Sequence, residues 1–351
     1  MILIPAYKET QLEQVEGQPL LILESWFRCL YLLLLEIKSK LTQGLMNILG
    51  VPNYPQMSSV KEKLLQHQNR IRTIRDFFYS HSIVEVITPS LLISPTTDVY
   101  IDSIEVSVNH ALLKSSNFYL HTSPELEMKR LLAKGSGDIF QICQVFRDNE
   151  HGSINSNEFT MLEFYRLGID MHQLIEEIQE LLIALGKNDI VKKISYAQAF
   201  FDYAEIDILN SNFEDLKNIL KSHGLSGDYD WIEDMQMVLF VHLIEPKIKT
   251  FPVCFIYDFP KQQAALAKID GLVAHRFEMY INGTEIANGY QEIETANDYR
   301  DRIETELDKR KSLSKSIGSI DEVFLADLKD GLPPCSGVAI GIERLFNSLS
   351  L

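Results

Sequence analysis

The chain has only four cysteines in 351 residues, Cys29, Cys143, Cys254 and Cys335, and no two of them form a C-x-x-C pair. That scarcity argues against a disulfide framework and a thiolate zinc site, and it suits a reducing cytoplasm. Basic residues are short too: 33 Lys and Arg stand against 49 Asp and Glu, a formal net charge of −16. A general RNA binder needs a basic face, so this balance argues against one, although a basic patch could still exist locally. The local cluster Lys61, Lys63, Arg70, Arg72 and Arg75 reads more simply as a solvated helix face. The apolar stretch 19–41 is broken by Glu24, Arg28 and Glu36, so it falls short of the roughly 18 unbroken apolar residues of a membrane span. A basic n-region and a clear small-residue cleavage site are missing, which argues against a signal peptide. Low-complexity linkers and internal repeats are lacking as well.

What is present suits one large domain, because 351 residues with 46% hydrophobic content can bury a sizeable core. Helical periodicity appears near 60–80, 171–186, 213–222 and 297–315, with strand-like runs between. Helices mixed with hairpin-connected strands predict an α+β fold with an antiparallel β-sheet flanked by helices.

Three segments carry candidate chemistry. In Phe140–Tyr165, two strand-like runs flank a charged loop that opens with Arg147 and closes with Glu158 and Phe159. A hairpin here would aim Arg147, Glu163 and Tyr165 over the sheet, and an arginine beside carboxylates and a ring suits a nucleotide triphosphate. In residues 271–293, Asn282-Gly283 predicts a tight hairpin turn. Glu285, Asn288, Tyr290 and Glu292 follow on the second strand, with small Ala287 and Gly289 between them. The odd spacing of Glu285 and Glu292 puts them on opposite faces unless a bulge intervenes, and Ala287 to Gly289 is the expected place for it. Gly289 also suggests a bulge or the close approach of a ligand. From Cys335, a small-residue strand turns through Gly341 into a helix near Ile342. Arg344 then falls in the first helical turn, where the helix dipole disfavours a cation and an anionic partner would explain it.

Together these segments resemble the three signature motifs of class II aminoacyl-tRNA synthetases: a helix and strand ending at Pro89, the FR loop with EFTMLEFY, and GIGIER. More narrowly, HTSPELEMKRLLAKGSGDIFQICQVFR and FEMYINGTEIANGYQEI are similar to the lysyl-tRNA synthetase-like ligases that attach (R)-β-lysine to a lysine of translation elongation factor P. The similarity runs from about Ser58 to the C-terminus, and the motifs are specific as a set.

The resemblance implies a class II synthetase catalytic fold that binds ATP with Mg²⁺. Arg147 would hold the α-phosphate, Phe159 would stack on adenine and Arg344 would hold the γ-phosphate. Asp148, Asn149, Ser156, Glu285, Ile286 and Gly341 fall at nucleotide-contacting positions. Glu285, and with less support Glu292, are the Mg²⁺ candidates, such an ion keeping waters and leaning on phosphates. Ser123, Pro124 and Glu125 match the segment around the amino group nearest the substrate carboxylate. Glu163, Tyr165 and Glu292 match the pocket for the distal ammonium, Asn288 would orient the carboxylate, and Tyr290 would cover the stem. Ala339 stands where lysyl-tRNA synthetases usually have glycine, as in the β-lysine ligases, and one methyl group shifts selectivity by about 1–3 kcal/mol. His121, His151 and His275 need no catalytic role.

Elongation factor P as acceptor and a homodimer built on the first motif are further implications, with no stable tRNA binding and no membrane. A lysyl-tRNA synthetase core that charges tRNA and a catalytically weak regulatory paralogue stay open as alternatives. Ser156 replaces the asparagine of the relatives' HNPEF, and Leu351 leaves the last helix about two turns. Residues 1–57 are expected to be an extension and 58–351 the catalytic domain. Three readings of the extension stand: a docking helix at 19–41, an interfacial membrane helix, or upstream sequence from an early start, with Met46 and Met57 just ahead of the resemblance.

Overall fold

The computed structural model describes residues 59–108, 116–150, 152, 155–225 and 227–349. The expected helix at 19–41, Met46, Met57, Cys29 and His151 lie outside the described residues. Helix α1 (Val60–Ser80) opens on a reciprocal cap: Ser59 N donates to Glu62 Oε2 at 2.6 Å, and Glu62 N donates to Ser59 Oγ at 3.2 Å. Residues 64–351 are one compact unit.

The elements follow in this order: β1 (Val84–Glu85), β2 (Leu91–Leu92), β3 (Glu105–Val108), β4 (Ser116–Leu120), α2 (Glu125–Ala133), β5 (Ile139–Phe146), β6 (Glu158–Leu167) and α3 (Met171–Ala184). Then come β7 (Val191–Ser195), α4 (Tyr196–Ala204), α5 (Phe213–Ser222), α6 (Ile232–Leu239), a π-helical turn (Phe240–Ile244), α7 (Glu245–Ile248) and β8 (Val253–Pro260). The last are β9 (Ile269–Asp270), β10 (Val273–Ile281), β11 (Thr284–Gln291), α8 (Ala296–Ser312), α9 (Glu322–Asp327), β12 (Cys335–Gly341) and α10 (Ile342–Ser348). The periodic stretches 60–80, 171–186, 213–222 and 297–315 thus correspond to α1, α3, α5 and α8.

The large sheet runs β1-β5-β6-β12-β11-β10-β8-β7, with β9 beside β10, and β2-β4-β3 form a small second sheet. Only β1/β5 and β7/β8 pair in parallel in the large sheet; its other pairs are antiparallel, so the fold is α+β as expected. Alternation sorts the faces. On β6, Leu162 and Phe164 enter a core with Ile74, Phe78, Phe140, Leu174 and Ile178, under α1 and α3. Phe78 meets Phe140 and Phe164 with ring centroids 4.5 and 4.8 Å away, each ring contributing about 1.5–3 kcal/mol on burial. Helix α3 starts on a capping box of Asp170 and Gln173, and α5 on one of Asn212 and Asp215. A second core, around Tyr196, Phe200, Phe240 and Ile256, packs α4 to α7 on the β8 side.

Asn282 (φ 50°) and Gly283 (φ 77°) form the expected turn between β10 and β11. The bulge exists one step earlier than expected: Tyr280 pairs with Glu285 and Met279 with Ala287, so Ile286 is the extra residue. It needs no glycine. Gly289 serves instead the closely packed back of the sheet, where a Cβ would lie 2.4 Å from the Phe277 ring, so ligand approach is not its reason.

Candidate active site

The sheet face opposite α1 and α3 opens into a cavity of about 910 Å³. Register builds its floor. Glu163 on β6, Ala339 on β12 and Asn288 on β11 lie side by side in one row, with Ala339 in the middle, and Tyr165, Gly337 and Tyr290 form the next. Gly337 is obligatory, since a Cβ there would sit 2.3 Å from the Tyr165 ring and 2.8 Å from Glu292 Oε1. The Ile286 bulge turns Glu285 to the face that carries Asn288, Tyr290 and Glu292, and all four line the cavity.

One end is acidic. Glu163 is 2% exposed; its Oε1 accepts from Tyr165 OH at 2.7 Å, and its Oε2 has no hydrogen-bond partner. Burial, then the charge of Glu125, pushes this carboxyl up to about 8. Lys129 on α2, wholly buried, places Nζ 2.6 Å from both Glu125 Oε1 and Glu292 Oε2. Burial opposes its charge, yet the two carboxylates hold the ammonium well above the usual lysine range. One cation between two carboxylates leaves an excess negative charge, and burial carries Glu292 up to about 7 despite Lys129.

The other end is cationic. The Arg147 guanidinium lies 5.2 Å from the Phe159 ring centroid and Nε reaches Thr122 O at 3.4 Å. Arg344 donates from Nη1 to Glu285 O at 3.1 Å and from Nη2 to Asn155 Oδ1 at 2.8 Å. Both acceptors are neutral, and neither arginine has an ion-pair partner among the described residues, which leaves their charge for an anion. Glu343 fixes the start of α10 by accepting from Thr160 N at 3.0 Å. Glu285 is pushed upward by the cleft walls and then by Glu278; its surface stays open to the cavity, where solvent tempers the shift.

Ser123, Ser156, Ile286 and Gly341 also line the cavity. Three expected residues do not. Pro124 is the N-cap of α2, Asp148 pairs through its backbone N–H with Asp102 O at 2.8 Å, and Asn149 is an exposed residue with φ 60°. The Glu285 and Glu292 pair also fails as one cation site, because six or seven strand steps separate them by about 20 Å. Among the described residues, no group of three or more His, Cys, Asp or Glu could hold a metal.

Sequence reasoning missed Lys129, although its i,i+4 spacing from Glu125 on an amphipathic helix was a usable signal. It also missed Arg276, whose Nε donates to Asn288 Oδ1 at 3.1 Å while Nη2 donates to Glu278. Asn288 Nδ2 in turn donates to Tyr290 OH at 3.0 Å, so one chain of bonds orients three cavity residues.

A sheet floored by two catalytic-type rows, with arginines from the second and third motif positions at one end, matches the comparisons with known proteins. Residues 54–350 match the family of class II tRNA synthetases (D, K and N). The chain belongs to that family. Within it, the chain is 40% identical over 299 residues to "Elongation factor P--(R)-beta-lysine ligase" of Pectobacterium atrosepticum, covering 83% of this chain and 92% of that protein. The protein of the same name from Vibrio cholerae serotype O1 is 39% identical over 291 residues, covering 81% and 90%.

Proposed function

We propose that this chain activates (R)-β-lysine with ATP and transfers it to a lysine side chain of elongation factor P. The observation that carries this reading is the buried carboxyl of Glu163, a residue that lines the cavity at the end opposite Arg147 and Arg344 and whose Oε2 has no hydrogen-bond partner. A buried carboxylate is costly unless a cation meets it, and the distal ammonium of a diamino acid supplies one. Glu125 and Glu292 then face the second amino group, and Asn288 the carboxylate.

In the first step a β-lysine carboxylate oxygen bonds to the α-phosphorus, and the bond to pyrophosphate breaks. Arg147 stabilises charge at that phosphorus, Phe159 holds adenine, and Arg344 binds the γ-phosphate. In the second step the acceptor amine attacks the acyl carbon and AMP leaves. Neither step needs a protein nucleophile; positioning and charge stabilisation supply the rate. Glu285, crowded by Glu278, suits a Mg²⁺ that leans on the phosphates and screens their charge. Glu292 does not, being committed to Lys129.

Residues 58–351 form the catalytic domain of a cytoplasmic enzyme. No helix among the described residues is long and apolar enough to cross a membrane. A homodimer would cover the exposed apolar side chains Leu64, Tyr79, Val84, Ile87 and Ile93 of the first motif region.

ATP–pyrophosphate exchange tests the reading. Exchange with (R)-β-lysine well above α-lysine supports it, the reverse points to a tRNA-charging core, and none with either points to a non-enzymatic paralogue. A β-lysyl mass increment on elongation factor P tests the acceptor; modified tRNA with untouched factor overturns it.

A further inference from the structure

Resting on the diamino-acid reading above, we infer that Lys129 is a built-in cation that sets the charge count of the amino-acid pocket, acting as a positioning residue for Glu125 and Glu292. Three carboxylates, Glu125, Glu163 and Glu292, converge at this end of the cavity, and all three line it. Lys129 does not line it: the ammonium is 0% exposed and sits behind the wall, 2.6 Å from one oxygen of Glu125 and 2.6 Å from one of Glu292. The Tyr299 and Tyr165 ring centroids are 5.3 and 5.9 Å from Nζ, closing the remaining sides with aromatic faces. The other titratable groups around this cluster are Glu163 on β6, the buried Cys335 thiol on β12 and Tyr290 on β11, whose ionisation burial disfavours, and Glu306 on α8, which burial pushes up to about 7 and which accepts from Thr97 Oγ1 at 2.7 Å.

Among Glu125, Glu163, Glu292 and Lys129, three carboxylates when ionised and one ammonium leave two negative charges, the number that the two ammonium groups of one diamino acid neutralise. Without Lys129 the pocket holds three uncompensated carboxylates in a dry site, and proton uptake relieves the repulsion. A protonated carboxyl binds an ammonium poorly. Lys129 thus spends no contact on substrate, yet it keeps Glu125 and Glu292 ionised and aimed.

The test compares Lys129→Met with Lys129→Arg and wild type by pyrophosphate exchange between pH 6.5 and 8.5, with KM for ATP as internal reference. In Lys129→Met, KM for (R)-β-lysine rises about tenfold at pH 6.5, the size of one unit of upward carboxyl shift, and recovers toward pH 8.5. KM for ATP stays put, and Lys129→Arg restores much of the low-pH affinity. A loss that is independent of pH, or equal for both substrates, overturns the inference and leaves Lys129 a packing residue. Where Lys129→Met does not fold, Lys129→Gln replaces it, with the same two outcomes read on its pH profile. Wild-type exchange with (R)-β-lysine is the control: its absence refutes the functional reading, whereas its presence with an unshifted variant profile refutes this inference alone.

Discussion

Tyr165 donates its phenolic hydrogen to Glu163 Oε1 at 2.7 Å and leaves Oε2 of the same buried carboxylate without a partner. The tyrosine lies two residues along β6 on the same face, both residues line the cavity, and its hydrogen bond restrains the carboxylate plane. Glu163→Gln keeps the shape and removes the charge. Its kcat/KM for (R)-β-lysine in exchange should fall about thirtyfold to several thousandfold, since losing one member of a buried charge pair costs about 2–5 kcal/mol. Tyr165→Phe removes a single hydrogen bond to a charged group and should cost about tenfold. Equal losses in the two variants would contradict the assignment of the cation to Glu163.

The same carboxyl makes stability and binding depend on pH in opposite directions. Its folded pKa is raised to about 8 from an ordinary value of 4.5. Between those values the native chain holds a proton that the unfolded chain has lost, so stability falls as pH rises from about 4.5 to 8. A bound ammonium favours the ionised form, so diamino-acid binding releases a proton below pH 8 and strengthens as pH rises toward it. Thermal melting at pH 6 and pH 8 should show ligand-free Tm dropping and the ligand-induced gain in Tm growing. Calorimetry in buffers of different ionisation enthalpy should register the proton release near pH 7.

Most of this end of the site was legible because hairpin register is. Asn282-Gly283 fixes where β10 turns back, and alternation then places Asn288, Tyr290 and Glu292 on one face. Glu285 needed a bulge, and its existence followed from the odd spacing to Glu292, whereas its position at Ile286 did not. No residue type marks it, as Ile286 is an ordinary buried side chain, 3% exposed. The Gly289 signal misled for a related reason: sequence shows that a Cβ is missing but not which face of the sheet would have met it. Asp148 and Asn149 sat at the right place in the motif but are not in the cavity wall, and the bridge of Asp148 to Asp102, 46 residues earlier, is a long-range pairing that the motif does not show. The six-residue helix α9 carries too few turns for periodicity to separate it from a loop.

Ala339 lies between Glu163 and Asn288 in the row that floors the amino-acid end. Its methyl group therefore sits between the carboxylate proposed for the distal ammonium and the amide proposed for the substrate carboxylate, where the α- and β-amino isomers differ in geometry. Ala339→Gly should lower the preference for (R)-β-lysine over α-lysine by about tenfold, within the 1–3 kcal/mol that one methyl group commands. Exchange rates with the two amino acids measured side by side give the ratio, and an unchanged ratio removes Ala339 from the selectivity account.

Arg344 is held by two neutral acceptors, Glu285 O at 3.1 Å and Asn155 Oδ1 at 2.8 Å, so its guanidinium is oriented before any anion arrives. Asn155, one residue before Ser156, supplies the side-chain amide in this loop. Arg344→Ala should reduce kcat/KM for ATP by about a hundredfold to a thousandfold, in line with loss of a preorganised charge donor. KM for (R)-β-lysine should move little. Asn155→Ala should give a smaller defect in ATP alone, about fivefold to tenfold, because it loosens the arginine without removing it.

Ile87 follows the short strand β1 and is 94% exposed, with Val84 at 54% and Tyr79 at 51% beside it in sequence. A bare isoleucine at that exposure gains about 1.5–3 kcal/mol when covered, and in a twofold interface the gain is counted twice. Ile87→Asp should therefore shift the proposed dimer to monomer in light-scattering chromatography at micromolar concentration. Because Ile87 is not in the cavity wall, any loss of exchange activity should recover as protein concentration rises. A monomeric wild type would refute the dimer, and a variant that stays dimeric would place the interface elsewhere.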